Sequence, residues 1–370
     1  MEREFSLSDD PKAGRRLWAG AGQPALRALG IEAIRVGAAQ APVGRRPRAA
    51  SPFYALSELA RMDRLPEKKI LVVPPISGHF TPMLRDVIIA LLEEFRVFTL
   101  DWVNVRHVST RHGSFGFDDN ITAVVHAIRE MGPGGGVLAL CQGGVPAFAA
   151  SALLAAGEDS AQPAALTLVG APIDPLANPT DVVRRLRQRP LSWFRTVPLW
   201  PVSSRFAGRG RMVYPARMHL AALTAYLRHR QTGDTEIARK LRRDDGADPD
   251  RFPFLDLYTS VMDIDGRHYV ENIQRVFHAC AISSGSLRCG GQPVTPQAIR
   301  STALLTVEGT EDDVAAPGQT AAAHDLCPAL PARLRHRLVV DNCGHFSLFH
   351  GDLWRAEVLP VVRDFFLDRC

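Results

Sequence analysis

Between Lys68 and Ile173 the chain alternates short, continuously apolar runs with longer segments of helical spacing. "KKILVVPPI" (68–76), "RVFTLDWVNV" (96–105), "GVLAL" (136–140) and "AALTLVGAPI" (164–173) read as strands buried on both faces. Between them, "TPMLRDVIIALLEEF" (81–95), "FDDNITAVVHAIREM" (117–131) and "VPAFAASALLAAG" (145–157) repeat apolar residues at helical spacing. Thr-Pro opens the first helix and two aspartates lie near the start of the second, as a helix N-terminus favours. Strands alternating with helices join by right-handed crossovers into a parallel sheet covered on both sides. The expected fold class is therefore α/β, with a mostly parallel, doubly wound sheet.

After Asp174 the alternation stops. "VVRRLRQRPLSWFRTVPLWPVSSRF" (182–206) mixes arginines, prolines and aromatics, while "HLAALTAYLRHRQTGDTEIARKLRRD" (219–244) and "FPFLDLYTSVMDIDGRHYVENIQRVFHAC" (252–280) read as helical. Strand character returns in "STALLTVEG" (301–309) and "LRHRLVVDN" (334–342), and "LWRAEVLPVVRDFF" (353–366) closes the chain as a helix. The expected organisation is a core of residues 51–174 and 297–370 and an inserted, mainly helical cap or lid over 175–296. Residues 1–50, rich in Ala, Arg, Gly and Pro, are expected to be weakly ordered. "PFYALSELARMDR" (52–64) reads as a helix packed on the core.

The composition, 46% apolar and 22% charged, is that of a soluble globular protein. No apolar run approaches the roughly 18 residues of a membrane span. The N-terminus lacks the basic-then-apolar pattern of a secretory leader, so a cytoplasmic location is expected. The net charge of +5 comes from basic residues read as spread along the chain, which gives no ground for a nucleic-acid partner. Arg184, Arg185, Arg187 and Arg189 read as a solvated helix face. Six cysteines (141, 280, 289, 327, 343, 370) show neither CxxC spacing nor a zinc pattern, so reduced thiols and no metal site are expected.

Three chemistry-bearing residues fall just beyond strand ends, where open parallel sheets bind ligands. Cys141 follows "GVLAL", Asp312 follows "STALLTVEG" and His345 follows the last strand in "DNCGHFSLF". Nucleophile, acid, base is the order of α/β-hydrolases. A nucleophile there needs a sharp turn with small flanking residues, and Ala139 and Gly143 supply them. The helix beyond the turn directs its N-terminal dipole at the thiol and favours thiolate. His345 is the candidate base and Asp312 the acid that orients it, with Asp313 as the alternative acid. An oxyanion hole needs backbone N–H donors: one from Gln142 and one from "PPISGHF" (74–80), where Ser77 and Gly78 are the candidates. His79 in that loop, and Trp193 and Trp200 in the insertion, are candidate substrate-binding side chains.

The motifs "PPISGHF", "DWVNVRHV", "GSFGFDDNI", "LALCQGGVPAFAA", "LTLVGAPIDPLANPT", "HYVENIQRVF", "TALLTVEGTEDDVAAPGQT" and "GHFSLF" together resemble the intracellular polyhydroxyalkanoate (polyhydroxybutyrate) depolymerases. These are α/β-hydrolases with a cysteine nucleophile, and the resemblance spans about residues 50 to 370. It implies that Cys141 attacks an ester of poly-3-hydroxybutyrate to give an acyl-thioester, with His345 as base and Asp312 behind it. It also implies association with polyester storage granules. No cofactor is required; water or coenzyme A (CoA) takes up the acyl group. The elbow itself, Cys-Gln-Gly-Gly, is instead similar to that of polyhydroxyalkanoate synthases. A synthase-like acyltransferase and a non-catalytic granule-binding protein are the alternatives.

Overall fold

The apolar runs become strands of one nine-stranded sheet in the computed structural model, which describes residues 30–76, 81–230, 235–243, 254 and 258–370. The core elements, in chain order, are β1 (Ala33–Val36), β2 (Ala39–Ala50), β3 (Tyr54–Arg61), β4 (Lys69–Val73), α1 (Arg85–Leu91), β5 (Arg96–Trp102), α2 (Phe117–Met131), β6 (Gly136–Leu140), α3 (Gly144–Ala156) and β7 (Ala165–Val169). The insertion follows with α4 (Asp181–Arg187), α5 (Leu191–Thr196), β8 (Trp200–Pro201), β9 (Met212–Tyr214), α6 (Ala216–Arg230), α7 (Glu236–Arg243), β10 (Ile264–Asp265), α8 (Gly266–Asn272), β11 (Arg288–Cys289) and β12 (Gln292–Pro293). The chain returns to the core with β13 (Ala303–Gly309), β14 (Arg335–Val340) and α9 (Leu359–Arg369).

The sheet order is β1-β2-β3-β5-β4-β6-β7-β13-β14. From β5 to β14 every neighbouring pair is parallel; β1, β2 and β3 add antiparallel at one edge. Strand periodicity places alternate side chains on opposite faces. Leu71, Val73, Val137 and Ala139 enter one apolar cluster, with α2 and α3; Ile70, Val72, Leu138 and Leu140 enter the other, with α1 and α9. Every residue of β6 and β7 is buried, as expected for strands covered on both sides.

Three expectations need correction. Residues 33–50 form two strands of the main sheet, so ordered core begins well before residue 51; residues 1–29 lie outside those described. Their stability comes from backbone pairing of β2 to β3, since only Ile34 and Ala41 among them are buried apolar residues. Residues 54–61 are strand β3 and not a helix. Leu56, Leu59 and Ala60 mimic helical spacing, but pairing with both β2 and β5 decides the conformation. The polar residues of β3 are also engaged: Arg45 donates to Ser57, and Arg48 and Arg96 pair with Glu58. Within 252–280 the described residues are not one continuous helix: Phe254 and Tyr258 are helical, the chain is non-helical over 260–265, and helix resumes in α8 and a wider-turned continuation, Ile273–His278. Just before it, Ile264–Asp265 pairs with β9, and the Asp265 carboxylate caps α8 through the Arg267 N–H.

The insertion is fastened to the core by buried charged side chains. Arg106 grips Asp263 through two hydrogen bonds of 2.8 Å; Arg211, paired with Asp265 inside the insertion, donates to the Gly113 carbonyl of the core at 2.7 Å, and Asp265 accepts the Phe115 N–H at 3.1 Å. The Phe117 N–H at the start of α2 donates to Glu271 of α8 at 2.7 Å. His268 is buried between Phe115 and Phe117 and bonds Asn120 of α2 at 3.1 Å. Burial pushes its pKa down to about 3, so it stays neutral.

Candidate active site

The chain leaves β6 at Leu140 and turns at once. Cys141 has φ +51°, and the short turn Cys141–Gly143 leads into α3. A left-handed conformation costs a residue bearing Cβ about 1 kcal/mol and marks a functional constraint. The turn is possible because Gly143 carries no side chain: a Cβ there would lie 2.7 Å from the Val73 carbonyl oxygen and 3.0 Å from that of Pro74. The elbow is thus pressed against the end of β4, where the 74–80 loop begins. Cys141 itself is partly exposed, while the other thiols are raised by burial: Cys327 and Cys343 to about 12, Cys370 to about 11, and Cys280 and Cys289 in the same direction.

His345 and Asp312 reach the elbow from the loops after β14 and β13. The His345 ring hydrogen-bonds Asp312 Oδ2 through Nδ1 at 2.7 Å and lies near enough to the Cys141 thiol to interact with it electrostatically. Asp312 Oδ1 accepts two backbone N–H bonds, from Val314 and Ala315, both at 2.8 Å, so the carboxylate is fixed in orientation. Burial opposes charge on the His345 ring, but the negative charge of Asp312 and Cys141 and the Asp312 hydrogen bond outweigh it and hold its pKa well above the histidine range. Phe346 and Phe349 pack edge-on against the imidazole. Asp313 turns elsewhere, accepting a 2.9 Å bond from Tyr226 of α6, so of the two adjacent acids it is Asp312 that meets the ring.

Gln142 is partly buried beside the thiol, and its side-chain oxygen accepts from Asn272 at 3.1 Å. Ser77, Gly78 and His79 lie outside the described residues. Trp193 packs in a satellite core of the insertion with Phe194, and Arg189 lies 4.3 Å over its ring. Trp200 is half exposed and lines a cavity of about 440 Å³ whose walls include none of Cys141, Asp312 and His345. Among the described residues, no group of three His, Cys, Asp or Glu side chains could hold a metal ion. No described helix is long and apolar enough to cross a membrane.

Sequence reasoning missed the contacts by which the insertion reaches the site. Asn272 lies in "HYVENIQRVF", a motif singled out but assigned no role. Glu236 of α7 accepts the Ser347 N–H and rests against Gly344, the residue before His345. Gly170, just after β7, has φ +54°, and a Cβ there would meet His345 Cε1 at 3.1 Å and Asp312 Oδ2 at 3.3 Å. Only this last had a local signal, a glycine directly after a buried strand.

Solved structures with this architecture include 2-hydroxy-6-oxo-6-phenylhexa-2,4-dienoate hydrolase from Rhodococcus sp. strain RHA1, at 14% identity and a TM-score of 0.51, covering 88% of this chain and 99% of that one. Cfl2 from Burkholderia cenocepacia gives 15% identity and a TM-score of 0.51, covering 90% and 99%. A hydrolase from Pseudomonas aeruginosa PA01 gives 15% and 0.51, covering 87% and 98%. At such identities the likeness shows the fold, which is that of the α/β-hydrolases. No curated protein matches the sequence. The family described as PHB de-polymerase C-terminus matches residues 170–369, more than half of the 370 residues and inclusive of both Asp312 and His345. The chain belongs to this polyhydroxybutyrate depolymerase family, and is an ester hydrolase of α/β-hydrolase fold.

Proposed function

We propose that the protein depolymerises poly-3-hydroxybutyrate in storage granules in the cytoplasm, through a cysteine nucleophile. The observation that carries this reading is the His345 ring held between Asp312 and the Cys141 thiol at a strained strand-to-helix turn. His345 holds the proton given up by the Cys141 thiol, and the sulfur attacks an ester carbonyl of the polymer. The tetrahedral intermediate places its negative oxygen toward the Gln142 N–H and an N–H of the loop at Ser77 and Gly78. On collapse the ester C–O bond breaks, His345 returns the proton to the departing 3-hydroxyl, and the acyl group stays on sulfur as a thioester. A water or CoA thiol, deprotonated by the same ring, then attacks the thioester carbon; the C–S bond breaks, the proton held by His345 returns to the departing Cys141 sulfur, and 3-hydroxybutyrate units or their CoA thioester are freed. Asp312 keeps Nδ1 engaged, so that Nε2 faces the thiol, and steadies the imidazolium.

The test is incubation of the wild-type protein and Cys141→Ala with native amorphous granules, with and without CoA, and identification of the soluble products. The reading predicts product from the wild type and none from the variant, and the CoA arm identifies the acceptor. Full activity in Cys141→Ala removes the thiol from the mechanism. Net polymer formation from 3-hydroxybutyryl-CoA by the wild type would make the protein a synthase.

A further inference from the structure

We infer that the face of the insertion around Trp200 docks on an anionic phospholipid surface. From Val182 to Gly233 the sequence holds eleven arginines and not one Asp or Glu, in a chain whose net charge is only +5. Arg184, Arg185, Arg187, Arg189, Arg195, Arg205, Arg209 and Arg217 are all exposed. The positive charge is therefore concentrated, contrary to its reading as spread along the chain. The same stretch exposes Val182, Val197, Trp200, Met212 and Met218, half of the ten exposed large hydrophobic side chains among the described residues.

The two features meet at the β8–β9 hairpin, where Trp200 stands opposite Val213 and Pro201 opposite Met212. Arg217 lies 4.7 Å over the Trp200 ring and Arg205 4.8 Å over Phe206. Both arginines line the cavity of about 440 Å³ beside Trp200, and among the described residues neither is paired with a carboxylate. The acid in that lining, Asp263, is already held by Arg106. Arg195 and Met212 share a second hollow of about 350 Å³.

Chemistry selects the occupant. A neutral polymer surface would match the exposed Val197, Trp200 and Met212 but leave Arg205 and Arg217 without a counter-charge; Arg184 and Arg211 already have theirs in Asp181 and Asp265. A nucleic acid would match the arginines but leave the aliphatic side chains in water. A phospholipid interface offers both: anionic headgroups for guanidinium, and a boundary zone where tryptophan and short apolar side chains settle. The cavity between Trp200, Arg205 and Arg217 is then the seat of a headgroup phosphate. This docking does not depend on which ester the protein cleaves.

The experiment is flotation of the full chain with vesicles of phosphatidylglycerol and phosphatidylcholine, against vesicles of phosphatidylcholine alone. Binding is expected to the anionic vesicles only, and to fall with added salt. The double variant Arg205→Glu/Arg217→Glu is expected to lose at least about tenfold in partitioning. Its melting temperature and its hydrolysis of a soluble short-chain ester should stay at wild-type values, which separates docking from folding and from the ester chemistry. Trp200→Ser should weaken binding to the same vesicles several-fold. Equal binding to the neutral vesicles, or undiminished binding by the double variant, overturns the proposal. So does tighter binding to a DNA duplex than to anionic vesicles at the same salt. If no protein hydrolyses the ester, the enzymatic reading fails while the vesicle result still stands or falls alone.

Discussion

Gly170 shows how closely single residues constrain the site. It carries the chain out of β7 directly behind the His345–Asp312 pair, in a left-handed conformation, where a methyl group would force its neighbours to yield by a few tenths of an ångström. Gly170→Ala forces strain at φ +54° and pushes on the imidazole edge and Leu348 together. The expected outcome is a loss of about 1–2 kcal/mol of stability. Displacement of the ring should also lower kcat by at least roughly tenfold. Urea denaturation and ester-hydrolysis kinetics on one preparation check both; a stable variant with unchanged kcat would show that the pair tolerates movement.

At the scale of elements, three polar side chains of the insertion, among the described residues, reach the site beside apolar packing such as Phe254 and Tyr258 on Phe346. Tyr226 of α6 holds Asp313, Glu236 of α7 braces the His345 loop, and Asn272 of α8 holds Gln142. The Gln142 bond fixes the side chain of the residue whose N–H is proposed to receive the oxyanion. Asn272→Ala removes one hydrogen bond, worth about 1 kcal/mol, from the elbow. It should lower kcat several-fold with little change in KM or melting temperature. A rise in KM at unchanged kcat would place Asn272 in substrate binding instead. These contacts explain what was and was not legible in the sequence. Cys141 follows β6 directly, and Asp312 and His345 lie in the short loops after β13 and β14, so strand ends, flanking glycines and the order nucleophile, acid, base single them out, with Asp313 left as the alternative acid. Asn272 and Glu236 owe their positions to pairings across more than a hundred residues, which no local pattern encodes. β3 was misread for a related reason: its helical spacing is local, whereas its pairing with β2 and β5 is not.

For the molecule as a whole, the junction between insertion and core carries a pH dependence. His268 is buried there with its pKa lowered from 6.5 to about 3, and His324, within the core, is lowered to about 4. As pH falls below 6.5, the unfolded chain takes up protons that the folded protein refuses. Stability contributed by neutral His268 is therefore full above pH 6.5 and is lost as pH falls toward 3, by up to about 1.4 kcal/mol per unit. His268→Gln keeps an amide beside Asn120 but has no such proton to bind. It should be less stable than the wild type at pH 7 yet lose less between pH 6.5 and 4.5, as read from urea midpoints. Parallel curves for the two proteins would remove His268 from the acid response. The broad plan of the sheet was legible because apolar periodicity dictates it. The order of residues 33–50 was not, because those strands are held by backbone pairing and bury few apolar side chains.

The proposed thioester is open to direct detection. The wild-type protein is mixed with a short 3-hydroxybutyrate oligomer, quenched in acid during turnover, digested and mapped by mass spectrometry. The account predicts a 3-hydroxybutyryl adduct on the peptide bearing Cys141, cleared by hydroxylamine and absent from Cys141→Ala. An adduct on any other side chain, or steady turnover by Cys141→Ala, would contradict it.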